Sequence, residues 1–227
     1  MSNICKSFQL HSFIKKLSTI SSSNIEDSQL MYELHRSKIF IIGFLVRILL
    51  ILSCVPLVQK IWFIEFIKNS LNSIEFNPWQ AHLVNGGDVL AFPYGYVMYL
   101  AYLPLTSIGL FIDKYFDIFY FSKIGFGLTS LIFDYGILIS ISLLLKKYSP
   151  KLLLLAYWCS PLVIYIFYWH GQLDALPVCF LVWSIAKLQA GKTKIAAILL
   201  GMALSAKLSM LVAIPFIFIY LYRNKRL

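Results

Sequence analysis

From Ile39 onward the chain alternates long apolar runs with short polar segments, most of them basic. Ile39 to Val58 is nearly continuous Ile, Leu, Val and Phe. At 1.5 Å per residue such a run crosses a hydrocarbon core of about 30 Å, which predicts a first transmembrane helix. Its one charge, Arg47, has two readings at that depth: a snorkelling structural cation, or a partner for a buried acid or a phosphate. Residues 59–92 are polar but carry Trp62, Phe63, Phe66 and Ile67, so they predict an amphipathic segment along the outer interface.

Phe92-Pro93-Tyr94-Gly95 opens a run to Leu110 that Pro104 interrupts, and an internal proline predicts a kink. Residues 111–122 look interfacial. Ile124 to Leu145 predicts a full span containing Asp134, followed by Lys146, Lys147 and Lys151. Leu152 to Trp169 predicts a span broken at Pro161, and Leu173 to Leu188 a fifth that leads to Lys187, Lys192 and Lys194. Ile195 to Tyr222 holds Lys207 and Pro215, and reads as one tilted helix or two short ones. The expected fold class is all-α, a polytopic transmembrane helix bundle with an amphipathic external loop.

Residues 1–38 are mixed polar and basic rather than a signal peptide, so they read as a cytoplasmic N-terminal segment. Within them Phe8, Leu10, Phe13, Ile14 and Leu17 recur at helical spacing, which suits a surface-lying amphipathic helix. Residues 39–227 form the transmembrane domain. If every run crosses once from an internal N-terminus, the lysines after Leu145 fall on the wrong face for the positive-inside rule. A bent or re-entrant pair over 93–122 removes the conflict. It then places His170 to Asp174 outside, with Asp88.

Composition strengthens the membrane reading: 59% of the 227 residues are hydrophobic and 13% charged, far more apolar than a soluble core needs. Lys and Arg number 20 against 10 Asp and Glu, but they sit between apolar runs, which favours membrane orientation over nucleic-acid binding. Cys5, Cys54, Cys159 and Cys179 lack CxxC spacing, so neither a disulfide nor a metal site is expected of them. No phosphate-binding glycine loop occurs either. The membrane would be the plasma membrane of a bacterial cell or the endoplasmic reticulum of a eukaryotic one.

Against this apolar background His170-Gly171-Gln172-Leu173-Asp174 stands out, because unpaired polar groups there are costly. Asp88 and Glu75 in the long polar segment, and Lys207 in a late apolar run, complete the candidate groups. Together they point to an enzyme acting at a bilayer surface on an anionic lipid-linked substrate, which requires a base near an acceptor oxygen and cationic groups for a departing phosphate. Asp88 or Glu75 suits the first role; Lys207, Arg47 and His170 suit the second, and Tyr94 belongs to an aromatic group able to line a sugar or lipid surface. Each also has a plainer role. His170 and Asp174 can pair four residues apart, and Lys207 can pair with Asp134 or Asp174.

The order Trp79, Gly86-Gly87-Asp88, Phe92-Pro93-Tyr94-Gly95, Lys123, Asp134, Ser160-Pro161-Leu162-Val163, His170-Gly171-Gln172-Leu173-Asp174, Gly201, Lys207, Pro215 resembles the multi-spanning GT-C glycosyltransferases. The likeness runs from about Ile39 to the C-terminus and is nearest to mannosyltransferase-like members, GPI-mannosyltransferase catalytic subunits among them. It implies an inverting transfer of a hexose, mannose in the nearest members, from a polyprenyl-phosphate donor to a lipid or glycan acceptor on the non-cytoplasmic face. An acid of the first external loop would be the base, often within an Asp-x-Asp pair. This chain offers Asp88 and Glu75 but no acids one residue apart. No cofactor is expected from the residues, and two carboxylates of unknown separation make a poor case for a divalent metal, which stays open. The family runs longer, so the chain is expected to hold only the N-terminal part of the fold. A transporter or flippase half, with Lys207 and Asp174 as substrate or proton ligands, and a catalytically inactive fragment or interaction subunit remain open alternatives.

Overall fold

The computed structural model describes residues 27–72 and 75–224, and all regular structure in them is helical. The predicted amphipathic stretch at 8–17 lies outside the described residues. A helical segment over 27–36 leads to α1, Lys38–Ser53, which Ser37 caps by accepting from the Ile39 amide. The expected single span to Val58 is therefore too long. Val55 precedes Pro56, and the proline ring disfavours helical backbone at the residue before it. Cys54 turns extended and the helix stops.

A π-helical turn, Gln59–Ile64, leads into α2, Glu65–Leu71, burying Phe63, Ile64, Phe66 and Ile67. Then α3, Pro78–Val84, begins with proline in its first turn and with the Asn77 side chain accepting from the Trp79 and Gln80 amides. Next comes α4, Tyr96–Phe116, one continuous helix through Pro104. The expected bent or re-entrant pair over 93–122 is absent. α4 packs closely against α5, Phe121–Leu144: Gly109 meets the Phe121 and Ser122 backbone, and Gly125 meets the Leu105 carbonyl. The Asp113 carboxylate closes the intervening turn by accepting from the amides of Tyr120, Phe121 and Ser122 and the Ser122 hydroxyl.

The predicted break at Pro161 is present. α6, Pro150–Leu153, continues through a π turn to Trp158; α7, Pro161–Ile164, continues through another to His170; the two arms bend by 43°. α8, Ala175–Gln189, and α9, Thr193–Ala206, follow as a hairpin. The late apolar run is two helices, because backbone at Lys207 is extended; a 3-10 turn, Leu208–Ala213, leads to α10, Ile214–Arg223.

Contacts between helices give the fold two unlike ends. α1 runs against α5, with Arg47 on Asp134 and the Lys123 ammonium donating to the Leu52 carbonyl over 2.9 Å. α8 runs alongside α5 in the same direction, with Phe180 against Phe133 and the Trp183 indole donating to Gly136. α9 returns beside α8, where the Ser184 hydroxyl donates to the Ala196 carbonyl, and α10 turns back along both. One end thus gathers Lys146, Lys147, Lys187, Lys192, Lys194 and Arg223. An ion pair from Lys146 to Asp27 attaches the 27–36 segment there. The opposite end carries the close of α1 and the α4–α5 turn.

Tyr102 faces Ser130 at 3.0 Å, so α4 starts about 9 Å further along, near the level of Asp134, and runs to that opposite end. The chain therefore reaches α5 without first returning to the basic end. α4 and α5 are long and apolar enough to cross a membrane, and the bent α6–α7 pair makes a third if taken as one span.

Candidate functional site

Lys207, Asp174 and Tyr94 meet at the point where α9 stops and α8 starts. The Lys207 ammonium donates to the Asp174 carboxylate and lies 5.7 Å from the centre of the Tyr94 ring. About a third of each charged side chain is exposed, so the pair opens to an approaching molecule. Asp174 precedes α8 but makes no side-chain cap to it, because its carboxylate is turned to Lys207. Burial, with the Asp174 charge adding, pushes the Tyr94 phenol up to about 12.

Two glycines allow this approach. At Gly95 the amide donates to the Ala206 carbonyl over 3.2 Å, and a Cβ there would stand 1.7 Å from the Ser205 oxygen. At Gly171 the backbone is left-handed, φ 84°, and a Cβ would come within 2.6 Å of Pro56. That corner separates His170 from Asp174, so the two do not share a helical face. His170 instead meets the Gln172 amide at 3.1 Å and stacks on Tyr165, and both His170 and Tyr165 face outward. Gln59 donates to the Gly171 carbonyl, which fastens this corner to the start of the amphipathic segment.

An aromatic core connects the pair to the segment bearing Asp88. Phe63 and Phe92 stand edge-on to Tyr94 at 5.7 and 5.2 Å. Phe66, Leu173, Leu176 and Ala206 join the same cluster, and the Trp79 indole donates to the Phe92 carbonyl. Asp88 itself is exposed; one carboxylate oxygen accepts from the Leu90 amide, forming a tight local turn. Glu75 is exposed near the start of α3. Both acids thus belong to the segment joined to Tyr94.

Arg47 is elsewhere. It is fully buried, bonded to Asp134 at 2.7 Å and to the Gly43 and Trp158 carbonyls, and the Trp158 ring lies 3.7 Å from its guanidinium carbon. Tyr157 and Tyr168 donate their hydroxyls to the same carboxylate. The pair ties α1 to α5 and to both arms of the bent helix, and it stands apart from the Lys207 junction. Of the two readings of Arg47, the partner to a buried acid is the one its geometry matches.

His82 carries a signal that sequence does not give. It is 3% exposed beneath the turn bearing Asp88; Nδ1 faces the Asn69 amide at 3.2 Å, and Nε2 has no hydrogen-bond partner among the described residues. Burial lowers its pKa, against the opposing pull of Asp88 and Glu65. A histidine within Trp79-Gln80-Ala81-His82 looks like any loop residue until α2 packs over it. Among the described residues, no group of three or more His, Cys, Asp or Glu is placed to hold a metal.

The described residues are all helical in their regular structure, with two or three helices able to span a membrane and a part-exposed ion pair at a helix break. Compared with known proteins, the chain matches no family model, no curated protein and no solved structure.

Proposed function

We propose that the chain is a multi-pass membrane protein, its basic end cytoplasmic, that transfers a hexose from a polyprenyl-phosphate donor to a lipid or glycan acceptor on the other side. The observation that carries this reading is the meeting of Lys207, Asp174 and Tyr94 away from the basic end, in one aromatic core with the segment that bears Asp88. Exposed Ile42, Leu45 and Leu49 along α1 suit lipid contact, and the gathered lysines satisfy the positive-inside rule. The order of short motifs, which resembles that of the GT-C glycosyltransferases, suggests the reaction class.

In the proposed step the acceptor hydroxyl oxygen attacks the anomeric carbon and that carbon's bond to the phosphate oxygen breaks. Asp88 takes the hydroxyl proton and polyprenyl phosphate leaves with the electron pair. The Lys207 ammonium, oriented by Asp174, stabilises the phosphate as its charge grows; His170 and Gln172 offer further polar groups beside it. Glu75 is the alternative base. Tyr94, neutral and half-buried, lines the approach.

The test supplies labelled polyprenyl-phosphate mannose to membranes containing the chain and to matched membranes without it. Label appearing in lipid or glycan only with the chain supports the reading. Equal label in both defeats it, and uptake of a water-soluble substrate without transfer would favour the transporter alternative.

A further inference from the structure

A second site, remote from the Lys207 junction, lies between α2 and the last turns of α4. It is a cleft of about 780 Å3, within the span of about 300–1,000 Å3 typical of small-molecule sites. Its apolar lining comes from Ile64, Leu71, Leu110, Phe111, Ile118 and Phe119, and its charged lining from Lys68, Lys114, Glu65 and Asp117. Lys68 and Glu65 are both exposed and only loosely paired, at 3.4 Å. Asp113 also lines the cleft, but its carboxylate is occupied by the four donors of the α4–α5 turn. Its carbonyl accepts from the Ile118 amide, which fixes that wall, and Lys60 rests 5.5 Å from the Phe119 ring.

The surroundings indicate depth. Tyr115, Phe116, Phe119, Tyr120 and Phe121 are exposed around the same helix end, opposite the basic cluster. Aromatic residues collect in this way at the headgroup level of a bilayer. A lining that joins apolar side chains to ammonium and carboxylate groups complements an amphiphile whose headgroup carries both signs of charge. A free phosphate would leave the apolar part unused and would face Glu65 and Asp117.

We propose that this cleft holds a zwitterionic phospholipid of the surrounding bilayer, its phosphate between Lys68 and Lys114, its ammonium at Glu65 or Asp117, and its upper chain carbons on the apolar lining. The site rests on the bilayer reading above but not on the transfer reaction. It would hold α2, and with it the Asp88-bearing segment, against α4.

The experiment reconstitutes the full chain in lipid nanodiscs containing a photoactivatable phosphatidylethanolamine, with a diacylglycerol bearing the same photo-group as control. Labelled peptides are then mapped by mass spectrometry. The expected labels fall within 64–72 and 107–119, from the phospholipid and not from the diacylglycerol, and survive added inorganic phosphate. In Lys68→Ala/Lys114→Ala labelling falls about tenfold, while Lys151→Ala/Lys194→Ala at the other end leaves it unchanged. Circular dichroism matching the native chain establishes that the variants fold. Unchanged labelling in the first variant, equal labelling by diacylglycerol, or displacement by phosphate overturns the site. Alkaline carbonate extraction of the native chain from cell membranes is read separately, since release there would overturn the bilayer reading itself.

Discussion

Lys207 and Asp174, 33 residues apart, form an ion pair across the gap between the end of α9 and the start of α8. Each gives up a local role for it. Asp174 leaves α8 without a side-chain cap, and Lys207 holds extended backbone between two helical segments. Because both side chains remain part-exposed, their mutual attraction is screened. In a double-mutant cycle of Lys207→Met and Asp174→Asn, read by thermal unfolding in detergent, the coupling is expected at about 1 kcal/mol or less. A coupling several times larger would make the pair a structural pin rather than a site.

Arg47 and Asp134 should behave in the opposite way. Both are fully buried, and removing one leaves the other as an uncompensated charge, so Arg47→Met alone should cost about 3–5 kcal/mol. Adding Asp134→Leu removes the second charge and should recover part of that loss. The recovery stays partial because the Tyr157 and Tyr168 hydroxyls lose their acceptor. Denaturant unfolding of the two variants checks the order, and a double variant less stable than the single one would contradict it.

Gly95→Ala places a methyl group against the Ser205 carbonyl, so the Tyr94 loop and the end of α9 must separate. The helices themselves lose few contacts. The expectation is near-native helix content by circular dichroism, with transfer reduced by about 100-fold, as small misplacements at reacting centres often cause. Full activity in this variant would show that the approach of Tyr94 to Lys207 is not needed.

His82 gives a pH dependence of definite sign. Its pKa in the folded chain is lowered from 6.5 by burial, so the imidazole is neutral in the fold. The stability it contributes is present above pH 6.5 and is lost as pH falls through the lowered value, since the unfolded chain binds the proton first. Amide exchange over α2 and α3 should therefore quicken on acidification below 6.5. In His82→Gln that acid-dependent increase should shrink, and an unchanged profile would remove His82 as its source.

The breaks near Pro161 and Lys207 were legible because a proline, and a charge within an apolar run, act locally. At Pro104 the proline does not end the helix, and the close glycine contacts between α4 and α5 accompany one continuous element there. The early stop of α1 follows from Pro56 acting on Val55, which the unbroken apolar composition concealed. Within the site, the polar groups of 170–174 and Lys207 stood out against apolar neighbours, as did the opposite charges of Arg47 and Asp134. Which cation met which acid depended on helix packing across 33 and 87 residues, which no local pattern encodes. His82 was silent, since its burial is created by Phe66 and Asn69 from another helix.

Labelled sugar transfer by the native chain, Asp88→Asn and Lys207→Met, compared in one membrane preparation at equal protein level, addresses the central claim. The account predicts transfer by the native chain, a loss of about 10²–10⁴-fold in Asp88→Asn, and about 10²–10³-fold in Lys207→Met. Native transfer that survives both substitutions would contradict it.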